Sequence, residues 1–315
     1  MKPLVSICIP NYNGEKYITH AIESALAQTY RKTEIIVVDN ASTDGSWDII
    51  KSFRKIKKFR HKANLGYNRN LNTCIELAKG KYVKILHSDD ILEKDAVKMQ
   101  VEAMESAPAA GLVYSPVKLI DENGDFIGNF SAGDAAPVVP GKQKLAELLN
   151  GNHIMFPSVM IRADCLRKVG LFDGEIPYCN DWDMWLRISM KYDIAYINSV
   201  SASYRVYSQS GGTVRYEVQD ISGFQMYRCL TKTLSAISDE SILKNGRRYY
   251  RNLAMEQISR GLSLIKRGKK SHGRRYILAA SSINDGFVFR LSVYAIYLLT
   301  YAGMSGIILR LGKIK

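Results

Sequence analysis

A chain of 315 residues with 46% hydrophobic content can bury one large α/β core plus an appendage, so disorder is not the expectation. Its net charge of +14 is unevenly spread, because from Ser241 onward 15 Lys and Arg face only Glu256 and Asp285. Five scattered cysteines (Cys8, Cys74, Cys165, Cys179 and Cys229) form no CxxC pair; they suggest neither a disulfide framework nor a zinc knuckle and suit a reducing, cytoplasmic setting.

In chain order, Met1–Lys2–Pro3 and the apolar run Leu4–Ile9 are too short for a secretory segment and read as a first strand. Glu15–Gln28 reads as a helix, Glu34–Asp39 as a second strand, Gly45–Lys57 as a helix, Asn68–Lys79 as a helix closed by Gly80, and Lys81–Leu86 as a strand. This βαβ succession predicts a mostly parallel sheet covered on both faces, with ligands at the carboxyl ends of its strands. A helix over Lys94–Ser106 follows. Gly111–Ile120, the turn Asp121–Gly124 and Phe126–Phe130 predict a hairpin, and Ser131–Gly141 a flexible loop. Pro157–Ile161 reads as a strand, Ala163–Val169 as a helix stopped by Gly170, and Asp183–Lys191 as an amphipathic helix. Beyond about Gly212 strand signals cease: Tyr249–Lys266 and Arg274–Ile283 predict a helical hairpin, and Leu291–Leu309 is a 19-residue run without charge. No internal repeat is present.

The strand before Ser88 delivers two adjacent carboxylates, Asp89 and Asp90, to its C-terminal end. Hard divalent ions are held by one or two carboxylates plus substrate phosphate oxygens, so the pair points to a metal-bridged nucleotide diphosphate; it also suits a helix N-cap. Tyr12 and Asp39, each at a strand end, offer a flat apolar face and a carboxylate acceptor. No G-x-G-x-x-G fingerprint occurs, which argues against a Rossmann dehydrogenase. A sugar-phosphate nucleotidyltransferase calls for a Gly-rich loop after the first strand, where Pro10–Asn11–Tyr12–Asn13 stands.

Read together, VSICIPNYN at Val5–Asn13, IESALAQTY at Ile22–Tyr30, IVVDNASTDGS at Ile36–Ser46, NLGYNRNLN at Asn64–Asn72, Ser88–Asp90 and NDWDMWLR at Asn180–Arg187 resemble family 2 glycosyltransferases, over about Leu4 to Val206. The resemblance implies a GT-A fold: a Rossmann-like, mostly parallel sheet flanked by helices, with a helical C-terminal appendage. It divides the chain into a catalytic domain over 1–212, with a nucleotide-sugar half at about 1–120 and an acceptor half at about 121–212, and a basic helical region over 213–315. It implies an inverting transfer from a nucleotide-sugar, UDP-linked as first choice, to a saccharide or lipid-linked hydroxyl acceptor, with Mn²⁺ or Mg²⁺ and a role in cell-envelope polysaccharide or lipid-linked oligosaccharide synthesis.

The resemblance also assigns residues. Tyr12 and Asp39 take the base; Pro10 and Asn13 shape the loop beneath it; Asn64, Gly66 and Asn70 line the neighbouring edge. Asp89 and Asp90 form the metal motif, with Asp89 also on the nucleotide side, and His87 stands where relatives often have a further Asp, which bears on the ribose contact. Asp181 is the general base, or an N-cap. Asn180 replaces the usual Glu and can hydrogen-bond an acceptor hydroxyl, Trp182 is a sugar-ring wall or a core residue, and His153 faces the acceptor cleft. Arg205 pairs with the diphosphate or merely with a strand, and Tyr207 occupies a position where many relatives have His.

A basic tail suits nucleic acid or an anionic membrane face. The adjoining uncharged Leu291–Leu309, which contains three tyrosines, favours the membrane and no nucleic acid: an interfacial helix first, a spanning or core-packed helix second. The expected location is therefore cytoplasmic and peripheral on the inner face of the cell membrane.

Overall fold

The computed structural model describes residues 2–131, 133, 136–207, 222–283 and 286–301. The chain divides into two compact units, Met1–Leu148 with Asn152–Tyr207 and Leu149–Gly151 with Ser208–Lys315. The domain boundary expected near residue 212 lies outside the described residues.

In the first unit the Val/Ile-rich segments β1 (Val5–Asn11), β2 (Thr33–Asp39) and β4 (Tyr82–Ile85) pair in parallel, with β1 in the middle and wholly buried. Their first connections are α1 (Ile18–Leu26), α2 (Ser46–Ser52) and α3 (Tyr67–Leu77). Between α2 and α3 lies β3 (Lys57–Arg60), a parallel edge strand that begins at Lys57, where the expected Gly45–Lys57 helix was to end. Its four residues are all exposed, so no apolar pattern announced it; the Lys-rich edge exists because β2 offers a free side to pair with. Gly80, just before β4, sits where a Cβ would come 2.6 Å from the Ser6 amide nitrogen.

The chain then forms β5 (Ile91–Leu92), α4 (Ala96–Ser106), β6 (Ala110–Tyr114), β7 (Val117–Ile120), β8 (Phe126–Phe130), β9 (Val138–Val139), α5 (Gly141–Leu148), a 3-10 turn at Phe156–Ser158, β10 (Met160–Arg162), α6 (Ala163–Val169), α7 (Asn180–Ser189), β11 (Asp193–Tyr196) and β12 (Ala202–Arg205). The large sheet is mixed, in the order β3-β2-β1-β4-β10-β6-β11-β9, and a second sheet runs β5-β12-β7-β8. Its core gathers Val5, Ile7, Ile9, Ile18, Ile22, Val37, Tyr82, Leu86, Val97, Met104 and Val113.

Several expectations are corrected. The Gly111–Ile120 run is two strands, broken at Ser115–Pro116, where the chain leaves the large sheet for the small one; only β7 and β8 make the hairpin. Pro157–Ile161 begins as a 3-10 turn, with the strand one step later. The Ser131–Gly141 stretch contains β9, while residues 132, 134 and 135 lie outside the described residues. The expected Asp183–Lys191 helix starts at Asn180, which takes Asp181 into its first turn; Cys179, not Asp181, is the N-cap.

In the second unit, α8 (Ser222–Ala236), α9 (Glu240–Leu243), α10 (Gly246–Lys266), α11 (Lys270–Ile283) and α12 (Phe287–Tyr301) follow one another. Helices α10 and α11 cross backbone to backbone: a Cβ on Gly261 would lie 2.5 Å from the Gly273 carbonyl oxygen. On α12, Val288 is 75%, Leu291 53% and Leu298 65% exposed, an uncovered apolar face among the described residues. No described helix is long and apolar enough to cross a membrane. The expected run Leu291–Leu309 is helical to Tyr301, and its remainder lies outside the described residues.

Candidate active site

The carboxyl ends of β1, β2 and β4 carry the first half of the site. Past β1 and β2 the two loops are laced together: the Asn13 amide donates to Ser42 Oγ at 2.9 Å, Asn13 Oδ1 accepts from the Thr43 amide at 2.9 Å, and the Gly14 amide donates to Ser46 Oγ at 2.9 Å. Asn13 and Ala41 hold left-handed backbone, φ +51° and +60°. Pro10 lies beyond Cys8, the last β1 residue paired with β4, where a missing N–H costs no bond on that side. Tyr12 stands 47% exposed on this platform.

Asp39, at the end of β2, is fully buried and already well supplied with donors. Its Oδ1 accepts from Asn11 Nδ2 at 2.9 Å and from Ser42 Oγ; its Oδ2 accepts from the Ser42 amide at 3.1 Å and forms an ion pair with Arg60 Nε, also at 3.1 Å. A base N–H reaches this carboxylate only in place of one of them. Arg60, 39% exposed, is the one able to withdraw. The residues expected along the edge divide in the same way. Asn64 Oδ1 accepts from Asn40 Nδ2 at 2.8 Å and from the Gly66 amide at 2.9 Å, shaping the positive-φ turn into α3. Asn70 is buried beneath, its amide tying the Asn11 carbonyl (3.2 Å) to the Val38 carbonyl (3.1 Å).

After β4 come His87, Asp89 and Asp90, whose donor atoms lie within 4.8 Å of one another. Asp90 is 1% exposed. Its Oδ1 accepts from the Arg205 amide at 2.9 Å, whereas Oδ2 has no hydrogen-bond partner among the described residues. Burial, with Asp89 alongside, pushes the Asp90 carboxyl well above the usual carboxylate range, against the pull of that Arg205 bond. A buried, unsatisfied carboxylate oxygen beside a second carboxylate fits a hard divalent cation, which supplies the missing partner and favours the ionised form. Beneath, Lys84 is fully buried, donates to the Pro157 carbonyl at 2.7 Å and is brought down to about 7 by desolvation, opposed by Asp90.

Arg205 does not stand free for a diphosphate. It is 3% exposed; its Nε donates to the Asp89 carbonyl at 2.9 Å, its Nη1 to the Asp121 carbonyl at 2.8 Å, and its guanidinium lies 4.3 Å above the Tyr17 ring. Because β12 pairs with β5 on one side and β7 on the other, Arg205 is carried under the Asp89–Asp90 loop and holds it. Tyr207 adds a bond from its hydroxyl to Asp89 Oδ2 at 3.1 Å.

The second acidic spot opens α7. Asp181 Oδ1 accepts from the Trp182 amide at 2.7 Å and Oδ2 from Asn152 Nδ2 at 2.8 Å. Desolvation pushes its carboxyl up to about 6, despite both bonds. Tyr67 and Tyr204 are each held in their neutral forms first by burial and then by the charges of Asp181, Asp89 and Asp90, so the two acidic spots face common neighbours.

Two residues expected at the acceptor lie inside the protein. Asn180 is buried, with Nδ2 on Asn68 Oδ1 at 2.7 Å and Oδ1 on the Asp181 amide at 2.9 Å, leaving little for a sugar hydroxyl. Trp182 is 2% exposed with its indole N–H on the Leu148 carbonyl at 2.8 Å, in keeping with the core alternative of the two expected for it. His153 is half-buried and follows Asn152 directly. Sequence reading missed Asn11, Asn40, Asn68 and Asn152; their signal was the density of asparagine at strand ends and in the loops beyond them.

Known proteins resemble this chain in sequence family and in fold. The model of the Glycosyl transferase family 2 matches residues 6–169. An uncharacterized glycosyltransferase of Rickettsia felis is 33% identical over 212 residues, 66% of this chain and 35% of that protein, so the chain spans about a third of that relative. The chondroitin synthase of Escherichia coli is 29% identical over 227 residues, 71% of this chain and 32% of that one. Among solved structures, S. aureus TarS 1-349 in complex with UDP superimposes with a TM-score of 0.65 at 19% identity, covering 96% of this chain and 92% of that one.

Proposed function

The chain belongs to glycosyl transferase family 2, and from that premise we propose that it moves a sugar from a UDP-sugar to a hydroxyl of a saccharide or lipid-linked acceptor, with inversion, in the assembly of a cell-envelope glycan. The observation that carries this reading is the placement of Asp181, raised to about 6, so that it shares Tyr67 and Tyr204 with the Asp89–Asp90 pair. A base near that value is ionised at neutral pH yet still basic enough to take a proton in the transition state.

In the proposed reaction Asp181 accepts the proton of the acceptor hydroxyl while that oxygen bonds to the anomeric carbon. The bond from this carbon to the diphosphate breaks, its electron pair leaves with the nucleoside diphosphate, and configuration inverts. Asn152 orients the base through its 2.8 Å bond. Tyr12 offers its exposed face to the base, and Asp39 takes the base N–H when Arg60 withdraws. Asp89 and Asp90 hold Mn²⁺ or Mg²⁺, which when bound neutralises charge on the departing diphosphate. Arg205 and Tyr207 keep those two carboxylates in place.

The UDP complexes of TarS support the nucleotide, and the name of the E. coli relative supports a saccharide acceptor. The basic α10–α11 pair and the exposed apolar face of α12 support peripheral attachment to an anionic membrane, since weak apolar insertion needs a second, electrostatic signal. A thermal-shift screen of UDP, GDP and dTDP with Mn²⁺ tests the donor: at 100 times its dissociation constant the right nucleotide adds about 2.7 kcal/mol of stability. Stabilisation by none of the three overturns the reading. Product NMR showing retained anomeric configuration removes Asp181 as a lone base.

A further inference from the structure

We propose that His87 binds the divalent cation directly, through Nδ1, together with Asp89 and Asp90, and that this nitrogen makes the site select Mn²⁺ over Mg²⁺. The inference rests on the metal assignment given above.

Three observations carry it. His87 Nδ1 lies 3.5 Å from Asp90 Oδ2, too far for a hydrogen bond, and that oxygen is buried without a partner among the described residues. Two atoms bound to one ion at about 2.0–2.2 Å, roughly 90–110° apart, stand about 3.0–3.6 Å from each other, so the spacing is that of co-ligands. The other ring nitrogen, Nε2, sits 2.5 Å from the Tyr67 hydroxyl. An imidazole that gives its Nε2 proton to an outer partner leaves the Nδ1 lone pair for a metal, the usual arrangement of histidine ligands. Finally, the ring is clamped, with the Phe156 ring centroid at 4.6 Å and that of Tyr67 at 5.7 Å, so Nδ1 is aimed before any ion arrives. Asp89 is aimed likewise by the Tyr207 hydroxyl.

The chemistry of this donor set decides the ion. Mg²⁺ prefers an all-oxygen octahedron and sheds water reluctantly, while imidazole nitrogen raises affinity for transition metals. Replacing an oxygen ligand by His87 therefore lowers Mg²⁺ relative to Mn²⁺.

The test uses the full chain and Mn²⁺ alone, read by pulsed EPR and by competition titration with Mg²⁺. Bound Mn²⁺ is expected to show nitrogen modulation in the wild type and none in His87→Gln, and His87→Asp is expected to narrow the Mn²⁺ over Mg²⁺ preference by about tenfold or more. His87→Asp, an oxygen donor in the same place, guards against mere misfolding of the first variant. Mn²⁺ bound in an Asp90-dependent way without nitrogen modulation, or an unchanged preference in His87→Asp, overturns the inference and leaves the metal assignment standing. Absence of Mn²⁺ binding to the wild type, with or without UDP, overturns both.

Discussion

Asn180 Nδ2 donates to Asn68 Oδ1 at 2.7 Å, joining two side chains 112 positions apart. Asn68 in turn donates to the carbonyls of Asp173 and Ile176, and Asn72 on the same helix exchanges two bonds with Phe172. The first turn of α7, and with it Asp181, is thus fixed from α3. A residue of α3 thus positions the proposed base.

Replacing Asn68 by Ala is expected to lower kcat about tenfold or more with little change in the donor KM, because Asp181 loses its anchor while the nucleotide loops keep theirs. The buried partners left unsatisfied cost about 1–3 kcal/mol, read as a lower unfolding midpoint. A donor KM that rises in step with a fall in kcat/KM, at constant kcat, contradicts the positioning role.

Asp181→Asn is expected to lose about 10²–10⁴ in turnover while binding UDP normally. The sign of the wild-type pH dependence follows from burial, which raises this carboxyl to about 6. The base is protonated and idle below that value, so kcat/KM climbs with pH through about 6 and levels off above it. An acid limb near 4 indicates a solvated carboxylate instead.

Tyr12→Ala is expected to weaken UDP binding by about 1–3 kcal/mol, the range for a base stacked on an aromatic ring, while Tyr12→Phe stays near wild type. Calorimetry with UDP decides. Since Tyr12 is 47% exposed, neither change disturbs the core.

Leu291→Glu combined with Leu298→Glu is expected to release the full chain from vesicles containing anionic lipid, because both side chains are more than half exposed and neither supports the fold. Co-sedimentation equal to wild type excludes α12 as the inserted face.

The parallel strands were legible because buried strands spell themselves out in Val and Ile, and the Asp89–Asp90 pair stood out as two carboxylates at the end of one of them. What sequence could not show depends on distant partners. Lys57–Arg60 becomes a strand only through β2. Arg205 resembles a phosphate ligand until β12 is placed between β5 and β7, and Trp182 a sugar platform until its indole meets the Leu148 carbonyl. Asn11, at the end of β1, and Asn68, in the first turn of α3, carry no mark in the sequence of the long-range bonds their amides make.

The seating of β12 also sets the smallest piece of this chain that can work. The family match ends at residue 169, yet the amide bound to Asp90 Oδ1 and the hydroxyl that steadies Asp89 come from Arg205 and Tyr207. A fragment cut at the edge of the match would lose the base helix altogether and strip the small sheet of the strand beside β5, leaving two neighbouring carboxylates on an unpaired edge. Gene trimming or domain grafting that aims to keep activity must therefore run through Tyr207.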